Sequence, residues 1–180
     1  MITTLREARA EARSLREQGD FARALSVYHQ ILQAVPLDYE VRMLVADVLV
    51  EINARDAAAQ LYRTLAIHDI RAGHPLPALV AGQALVKLGY PIDDIEALLV
   101  QTFASGSPYL AHFAIRPAPV DPNTKFESGS STPPKSLQHV AEQAQRAALD
   151  LSVYVGYQEQ YPPLPLLSEL TPESFIAVAR

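Results

Sequence analysis

Residues 19–36 read GDFARALSVYHQILQAVP, and this stretch decides the fold. It begins with a Gly-Asp pair that is typical of a turn, and it ends at Pro36, which cannot continue a helix. Between these two points the apolar side chains recur every three or four residues, which is the period of an α-helix. The stretch therefore predicts an amphipathic helix over residues 20–34, preceded by a tight turn.

The turn recurs along the chain. Gly19, Asn53 and Gly89 are separated by 34 and 36 residues, and each lies between two segments with helical periodicity. The first two turns are followed, at equal offsets, by a small residue and an aromatic one, namely Ala24 with Tyr28 and Ala58 with Tyr62. Such self-similarity at a fixed interval predicts a structural repeat.

The pattern resembles the tetratricopeptide repeat family, whose unit is a helix–turn–helix of about 34 residues. The resemblance covers about residues 3–105 and departs from the family in two places. Ile70 occupies the position of the family's proline in the second repeat, and the third repeat keeps Gly82 and Gly89 but lacks the aromatic residue. The resemblance implies an all-α, TPR-like helical-repeat solenoid of about three helix pairs plus a C-terminal helix.

Local signals predict the limits of the six repeat helices. Thr4 and Glu7 have the spacing of a capping box, Asp38 is a candidate cap for the third helix, and Gly73 is a candidate left-handed end for the fourth. The predicted ranges are residues 5–18, 20–34, 39–52, 56–72, 75–89 and 92–104. Three such pairs are about the minimum for a stable stack.

The predicted organisation has four parts. Residues 1–105 form the repeat domain, residues 106–135 a Pro- and Ser-rich linker, residues 136–156 an amphipathic helix, and residues 157–180 a tail or the start of a further domain. The seventh helix, over about residues 136–152, is expected either to cover an exposed end of the repeat stack or to lie in its groove as an internal ligand.

The tail carries a second, shorter resemblance. Residues 165–175 read PLLSELTPESF, which is similar to the lead-in helix of cyclic-nucleotide-binding domains. Thr171 and Pro172 also open a helix that is unfinished at Arg180, so we expect the natural protein to continue. The resemblance implies a cyclic-nucleotide-responsive sensor, but none of the nucleotide-binding residues of that family falls within this chain.

Composition excludes several classes of protein. A net charge of −5 disfavours nucleic-acid binding through phosphate contacts, and the absence of cysteine removes disulfides and thiolate metal sites. No apolar run is long enough for membrane insertion, and no signal-peptide core is present, so we expect a cytoplasmic chain. His68, Asp69 and His74 are too dispersed for a metal site. No catalytic motif occurs, and neither an enzyme nor a cofactor is predicted.

Four arginines are the sharpest candidates for a site. Arg6, Arg9, Arg13 and Arg16 are spaced three and four residues apart, which places them along one helical face. The resemblance places them in the concave groove, where they would clamp carboxylates of a partner. Further groove positions are implied at Glu40, Met43, Asp47, Val50, Glu51, Leu79, Gln83, Val86 and Lys87. The alternative is a solvated face, neutralised by Glu7, Glu11 and Glu17.

The predicted function is that of a non-catalytic adaptor that binds a partner protein or peptide in the concave groove. Arg9→Glu and Arg13→Glu are expected to weaken binding while leaving the fold intact. Two alternatives stay open. One is the sensor implied by the tail, and the other is self-assembly into a homo-oligomer through an uncapped repeat end or a swapped seventh helix.

Overall fold

The computed structural model describes residues 2–104, 106–107, 120–129 and 136–151. Seven α-helices and one short strand pair make up these residues, which confirms the all-α helical-repeat fold. The elements are β1 (Ile2–Thr4), α1 (Leu5–Glu17), α2 (Phe21–Ala34), α3 (Tyr39–Glu51), α4 (Arg55–Arg71), α5 (Pro75–Leu88), α6 (Asp93–Phe103), β2 (Lys125–Glu127) and α7 (Leu137–Leu149).

The three predicted turns share one backbone geometry. Gly19, Asn53 and Gly89 all have left-handed φ angles, of 77°, 62° and 86°. At each turn the next residue donates its N–H to the carbonyl five residues earlier, at 2.9, 2.8 and 3.0 Å. This closure satisfies carbonyls at the helix end that would otherwise lack a donor. The prediction that the chain turns at these three positions is therefore confirmed.

The helix starts also follow the local signals. Thr4 and Glu7 form the predicted capping box at the start of α1, and the Asp38 side chain accepts a hydrogen bond from the backbone N–H of Val41 at the start of α3. The backbone hydrogen bond from Thr4 is the main reason that the pKa of Glu7 lies below its usual value. Each cap satisfies N–H groups that the first helical turn leaves without a partner.

The chain divides into two compact units, and the division falls within α4. Of the described residues, the first unit comprises 2–61, 120–129 and 136–151, and the second comprises 62–104 and 106–107. In the first unit α2 packs against α1, α3 and α7, and α3 also contacts α7. Its core contains the repeat residues Ala24 and Tyr28, both buried. In the second unit Tyr62 and Ile70 are buried in the same way.

Part of the segment predicted as a linker is ordered against the start of the chain. β2 pairs antiparallel with β1, with Thr3 opposite Phe126. The carbonyls of Thr124 and Pro122 accept the backbone N–H groups of Leu5 and Arg6, both at 2.9 Å. Residues 120–129 therefore supply acceptors that the first turn of α1 cannot find within the helix. Sequence analysis predicted no strand, because three-residue strands leave no periodic signal.

Two predicted elements stay outside the description. The tail, with its PLLSELTPESF pattern, lies beyond residue 151, and much of the predicted linker falls in residues 108–119 and 130–135. These predictions lie outside the described residues.

Candidate functional site

The arginine face of α1 lies beside the acidic face of α3. Arg9 donates from Nε to Oδ2 of Asp38 at 3.0 Å and from Nη2 to Oδ1 at 2.5 Å, and it also bonds Glu40. Burial lowers the pKa of Arg9, but the hydrogen bonds and charges of Asp38 and Glu40 raise it by more. Arg9 therefore stays charged and joins the two helices.

Arg16 repeats this arrangement two turns further along α1. Its Nη2 donates to Oε1 of Glu51 at 2.7 Å, and Nη1 lies 3.7 Å from Oδ2 of Asp47. The hydrogen bonds to Glu51 are the largest cause of a raised pKa at Arg16. An exposed bridge of this kind adds less than about 1 kcal/mol to stability. Its structural effect is to fix the direction in which both side chains point.

Arg6 and Arg13 form the other half of the predicted arginine stripe. Both are exposed, and neither forms an ion pair with an acidic residue that the structure describes. A rotation of about 100° per residue places these two side chains on the outer edge of the stripe and Arg9 and Arg16 on the edge that faces α3. The four arginines thus divide into a pair that is bonded to α3 and an exposed pair that is not.

This division changes the role of two predicted residues. The groove residues Asp47 and Glu51 are the carboxylates that bind Arg16 within the chain. The fully buried Asp38 carries much of the bonding to Arg9. Arg9→Glu would therefore place a carboxylate against a buried carboxylate, so from the structure we expect this variant to destabilise the fold, in contrast to the expectation drawn from the sequence. Sequence analysis identified Asp38 only as a helix cap. The structure shows that its side chain also faces α1.

The remaining groove positions of the first unit are half-buried. Met43 and Val50 lie on α3 about two turns apart, and neither is fully covered by the described residues. Glu40 is exposed apart from its bond to Arg9. The exposed surface that this face offers to a partner consists of Arg6, Arg13 and the partly exposed carboxylates of α3.

A second surface lies on α5, in the second unit. Leu76 is 73% exposed, Val80 61%, and Leu79 and Val86 47% each. Their positions fall within about 120° of one another around the helix, opposite the buried Ala78, Ala81, Gly82 and Leu85. The exposed Gln83 and Lys87 lie on the same side. We call the four apolar residues, together with Gln83 and Lys87, the α5 apolar face.

The ends of the second unit's helices are held by polar contacts. Arg63 of α4 bonds the Asp94 carboxylate and donates from Nη2 to the Pro91 carbonyl at 2.5 Å. The side chains of Ile92 and Ile95 lie 3.9 and 4.0 Å from the point where Gly82 would carry a Cβ. These contacts place α6 on the side of α5 that is opposite the α5 apolar face.

A third feature is the docking of α7 in the first unit. Arg42 of α3 is 1% exposed and donates from Nη1 to the carbonyls of Ala147 and Ala148 at 3.0 and 2.6 Å. Its Nη2 donates to the carbonyl of Pro36 at 2.7 Å. A buried guanidinium therefore neutralises the negative end of α7 and joins it to the α2–α3 turn.

Arg42 also fixes the side of α3 that α7 covers. About 100° per residue puts Arg42 roughly opposite Glu40, Asp47 and Glu51 on the α3 cylinder. Of the two predicted positions for the seventh helix, the groove beside the arginine face is therefore not the one observed. The sequence signal that was missed is a single arginine within the apolar positions of α3.

A cleft of about 530 Å³ opens beside the end of α7. It is lined by His29, Leu32, Gln33, Pro36, Arg42, Gln143, Arg146, Ala147 and Asp150. Burial lowers the pKa of His29 below its ordinary value. Because two arginines share the cleft, a proton on His29 would add a third positive charge there.

Over residues 2–104, 106–107, 120–129 and 136–151, no three His, Asp or Glu side chains converge as metal ligands. In the same ranges no helix combines the length and the apolarity that a membrane span requires.

Residues 9–75 match the family described as tetratricopeptide repeat, a stretch that runs from α1 to the start of α5. Neither the curated proteins nor the solved structures contain a significant match to the chain. The family match, the shared turn geometry and the buried Ala–Tyr pairs agree. Residues 9–75 therefore form a tetratricopeptide repeat region.

Proposed function

We propose that the chain is a non-catalytic adaptor that binds a partner protein through the α5 apolar face. Tetratricopeptide repeats generally mediate contacts between proteins, and the match over residues 9–75 makes this the starting expectation. The observation that carries the proposal is the α5 apolar face itself. Leu76 and Val80 are the most exposed of the large apolar side chains on α5, and covering them with another surface lowers the free energy.

The chemistry of this face indicates the class of partner. Leu76, Leu79, Val80 and Val86 recur at helical spacing, so they match the apolar side of a peptide or an amphipathic helix. Lys87 is the one charged residue on α5, and it adds a preference for an acidic group near the end of the bound segment.

A cysteine-free chain fits a reducing compartment, which supports a cytoplasmic setting for the adaptor.

Arg6 and Arg13 form a separate candidate contact on α1. They are exposed, while their neighbours Arg9 and Arg16 are already bonded to α3. Because guanidinium groups bind carboxylates through two parallel hydrogen bonds, this pair suits an acidic partner segment. The adaptor proposal stands on the α5 apolar face, and the arginine pair extends it.

The test is affinity capture with the 180-residue chain and two matched variants. Val80→Asp places a charge in the α5 apolar face, and Val100→Asp makes the same change at an exposed valine of α6. A partner that binds through α5 is retained by the wild-type chain and by Val100→Asp. Its affinity for Val80→Asp falls at least about tenfold, since burying a valine stabilises by about 1.5–3 kcal/mol.

Circular dichroism supplies the folding control, and both variants should melt as the wild-type chain does. If Val80→Asp and the wild-type chain capture the same partner equally well, α5 is not the binding surface. An additional Arg13→Glu variant reports on α1. Loss of a partner with this change alone would move the proposed contact from the second unit to the first.

A further inference from the structure

The contacts that hold α7 define a receptor for one end of a helix. We call the α7 seat the surface formed by α2, by Arg42 of α3 and by the first turns of α4. Arg42 donates to the carbonyls of Ala147 and Ala148, and Gln145 Nε2 donates to the Ala57 carbonyl at 3.3 Å and to Gln60 Oε1 at 3.1 Å. The polar contacts lie near the C-terminal end of α7.

The α7 seat binds mainly through small side chains and main-chain atoms. The buried residues of α7 are Val140, Ala141, Ala144 and Ala148, so three of the four are alanines. Each alanine removes little more than one methyl group from water, so the side chains of α7 itself contribute little apolar area. Because α2 also packs directly on α1 and on α3, release of α7 removes none of those contacts.

The connection to α7 is short. Gly129 is fixed to α2, because its N–H donates to Gln30 Oε1 at 3.1 Å, and Ser136 caps α7. Six residues, SSTPPK, separate these two points in the sequence. Exchange of an identical element between copies is a low-cost route to a dimer, and the segment that joins Gly129 to α7 is the connection that would cross between the two copies. Every group that the α7 seat recognises is also present on α7 of a second copy.

From these contacts we infer that the α7 seat also accepts α7 of a second copy of this chain, which gives a dimer with exchanged seventh helices. The interface is the intramolecular one, with the same bonds from Arg42 and Gln145, so the exchange creates no new unpaired polar group. The two forms have nearly equal contact energy, and protein concentration sets their ratio.

Because the chain contains no cysteine, introduced cysteines are the only thiols that a cross-linker can join. Gln60→Cys is placed in one copy of the 180-residue chain and Gln145→Cys in a second copy. The second copy carries a tag, so that the two differ in size. Because two glutamine side chains span the original gap, a short bis-maleimide replaces a direct disulfide. The two chains are mixed at high concentration and treated. Exchange predicts a cross-linked heterodimer whose yield rises with concentration, in parallel with the dimer seen by light scattering.

Two further chains make the result specific. Glu17→Cys, an exposed position on α1, replaces Gln60→Cys as the control, and it should give a cross-link yield at least about tenfold lower. Ala144→Glu in both chains buries a charge in the α7 seat and should abolish the heterodimer, while circular dichroism reports the remaining helices as folded. A chain that stays monomeric at every concentration overturns the inference. So does a dimer that Val80→Asp abolishes and Ala144→Glu leaves intact.

Discussion

Arg9 and Asp38 are 29 residues apart in the sequence, yet the guanidinium of one holds both carboxylate oxygens of the other. Asp38 is 1% exposed and also caps α3 through the N–H of Val41. One carboxylate therefore starts a helix and binds its neighbour. A buried charge of this kind is tolerated only while its partner is present.

Removing the Arg9 guanidinium should destabilise the fold. Arg9→Met keeps the aliphatic stem but leaves the Asp38 carboxylate without its cation, and the free energy of unfolding should fall by about 1–3 kcal/mol. Arg13→Met, on the exposed edge of the same helix, should change it by less than about 0.5 kcal/mol. Urea denaturation measures both. Equal effects of the two changes would show that the ion pair contributes nothing to stability.

Arg42 should control the protection of α7. Arg42→Met removes the donor to the carbonyls of Ala147 and Ala148, and hydrogen bonds from a charged group contribute about 1.5–3 kcal/mol each. Hydrogen exchange in Leu137–Leu149 should accelerate, while α1 exchanges as in the wild-type chain. Arg55→Met, at the exposed start of α4, is the control. Unchanged protection of α7 in Arg42→Met would contradict the anchoring role.

The cleft beside α7 should make stability depend on pH through His29. The pKa of His29 in the folded chain lies below the ordinary value of 6.5. As the pH falls, the His29 imidazole is therefore protonated at a higher pH in the unfolded chain than in the folded chain. Stability is therefore complete above about pH 6.5 and decreases as the pH is lowered below it. Arg42 and Arg146 add positive charge to the same cleft, and Asp150 adds negative charge.

The His29→Gln variant tests this dependence. It removes the titrating group, so its melting temperature should decline less between pH 7 and pH 5 than that of the wild-type chain. His139→Gln, at an exposed position on α7, should leave the wild-type slope unchanged. Parallel slopes for the wild-type chain and His29→Gln would exclude His29 as the source.

Two identical substitutions should have opposite effects on stability. Gly82→Ala adds a methyl group inside α5 at ordinary contact distance from Ile92 and Ile95, and it should stabilise by about 0.5–1 kcal/mol. Gly89→Ala forces a residue with a Cβ into a φ of 86° and should destabilise by about 1–2 kcal/mol. Thermal unfolding of the two variants measures the difference. A loss of stability in Gly82→Ala would mean that the packing beside α5 needs the glycine.

The family resemblance predicted much of the fold and part of the candidate site. Gly82 was identified as a residue of the third repeat, and the structure leaves space for a methyl group there. Arg6 and Arg13 were identified together with Arg9 and Arg16, since spacing reveals a common face. Spacing does not reveal which edge of that face meets another helix. The role of Arg42 was missed because its partners on α7 are more than 100 residues away in the sequence.

Sequence alone determined the corners at Gly19, Asn53 and Gly89, the caps at Thr4 and Asp38, and the order of the helices. These features depend on interactions between residues at most five positions apart, which a linear pattern records directly. The tertiary structure decided that Asp38 binds Arg9, that β1 pairs with β2, and that α7 covers the Arg42 side of α3. Those choices depend on which helix faces meet after the chain has folded, and no local spacing encodes them.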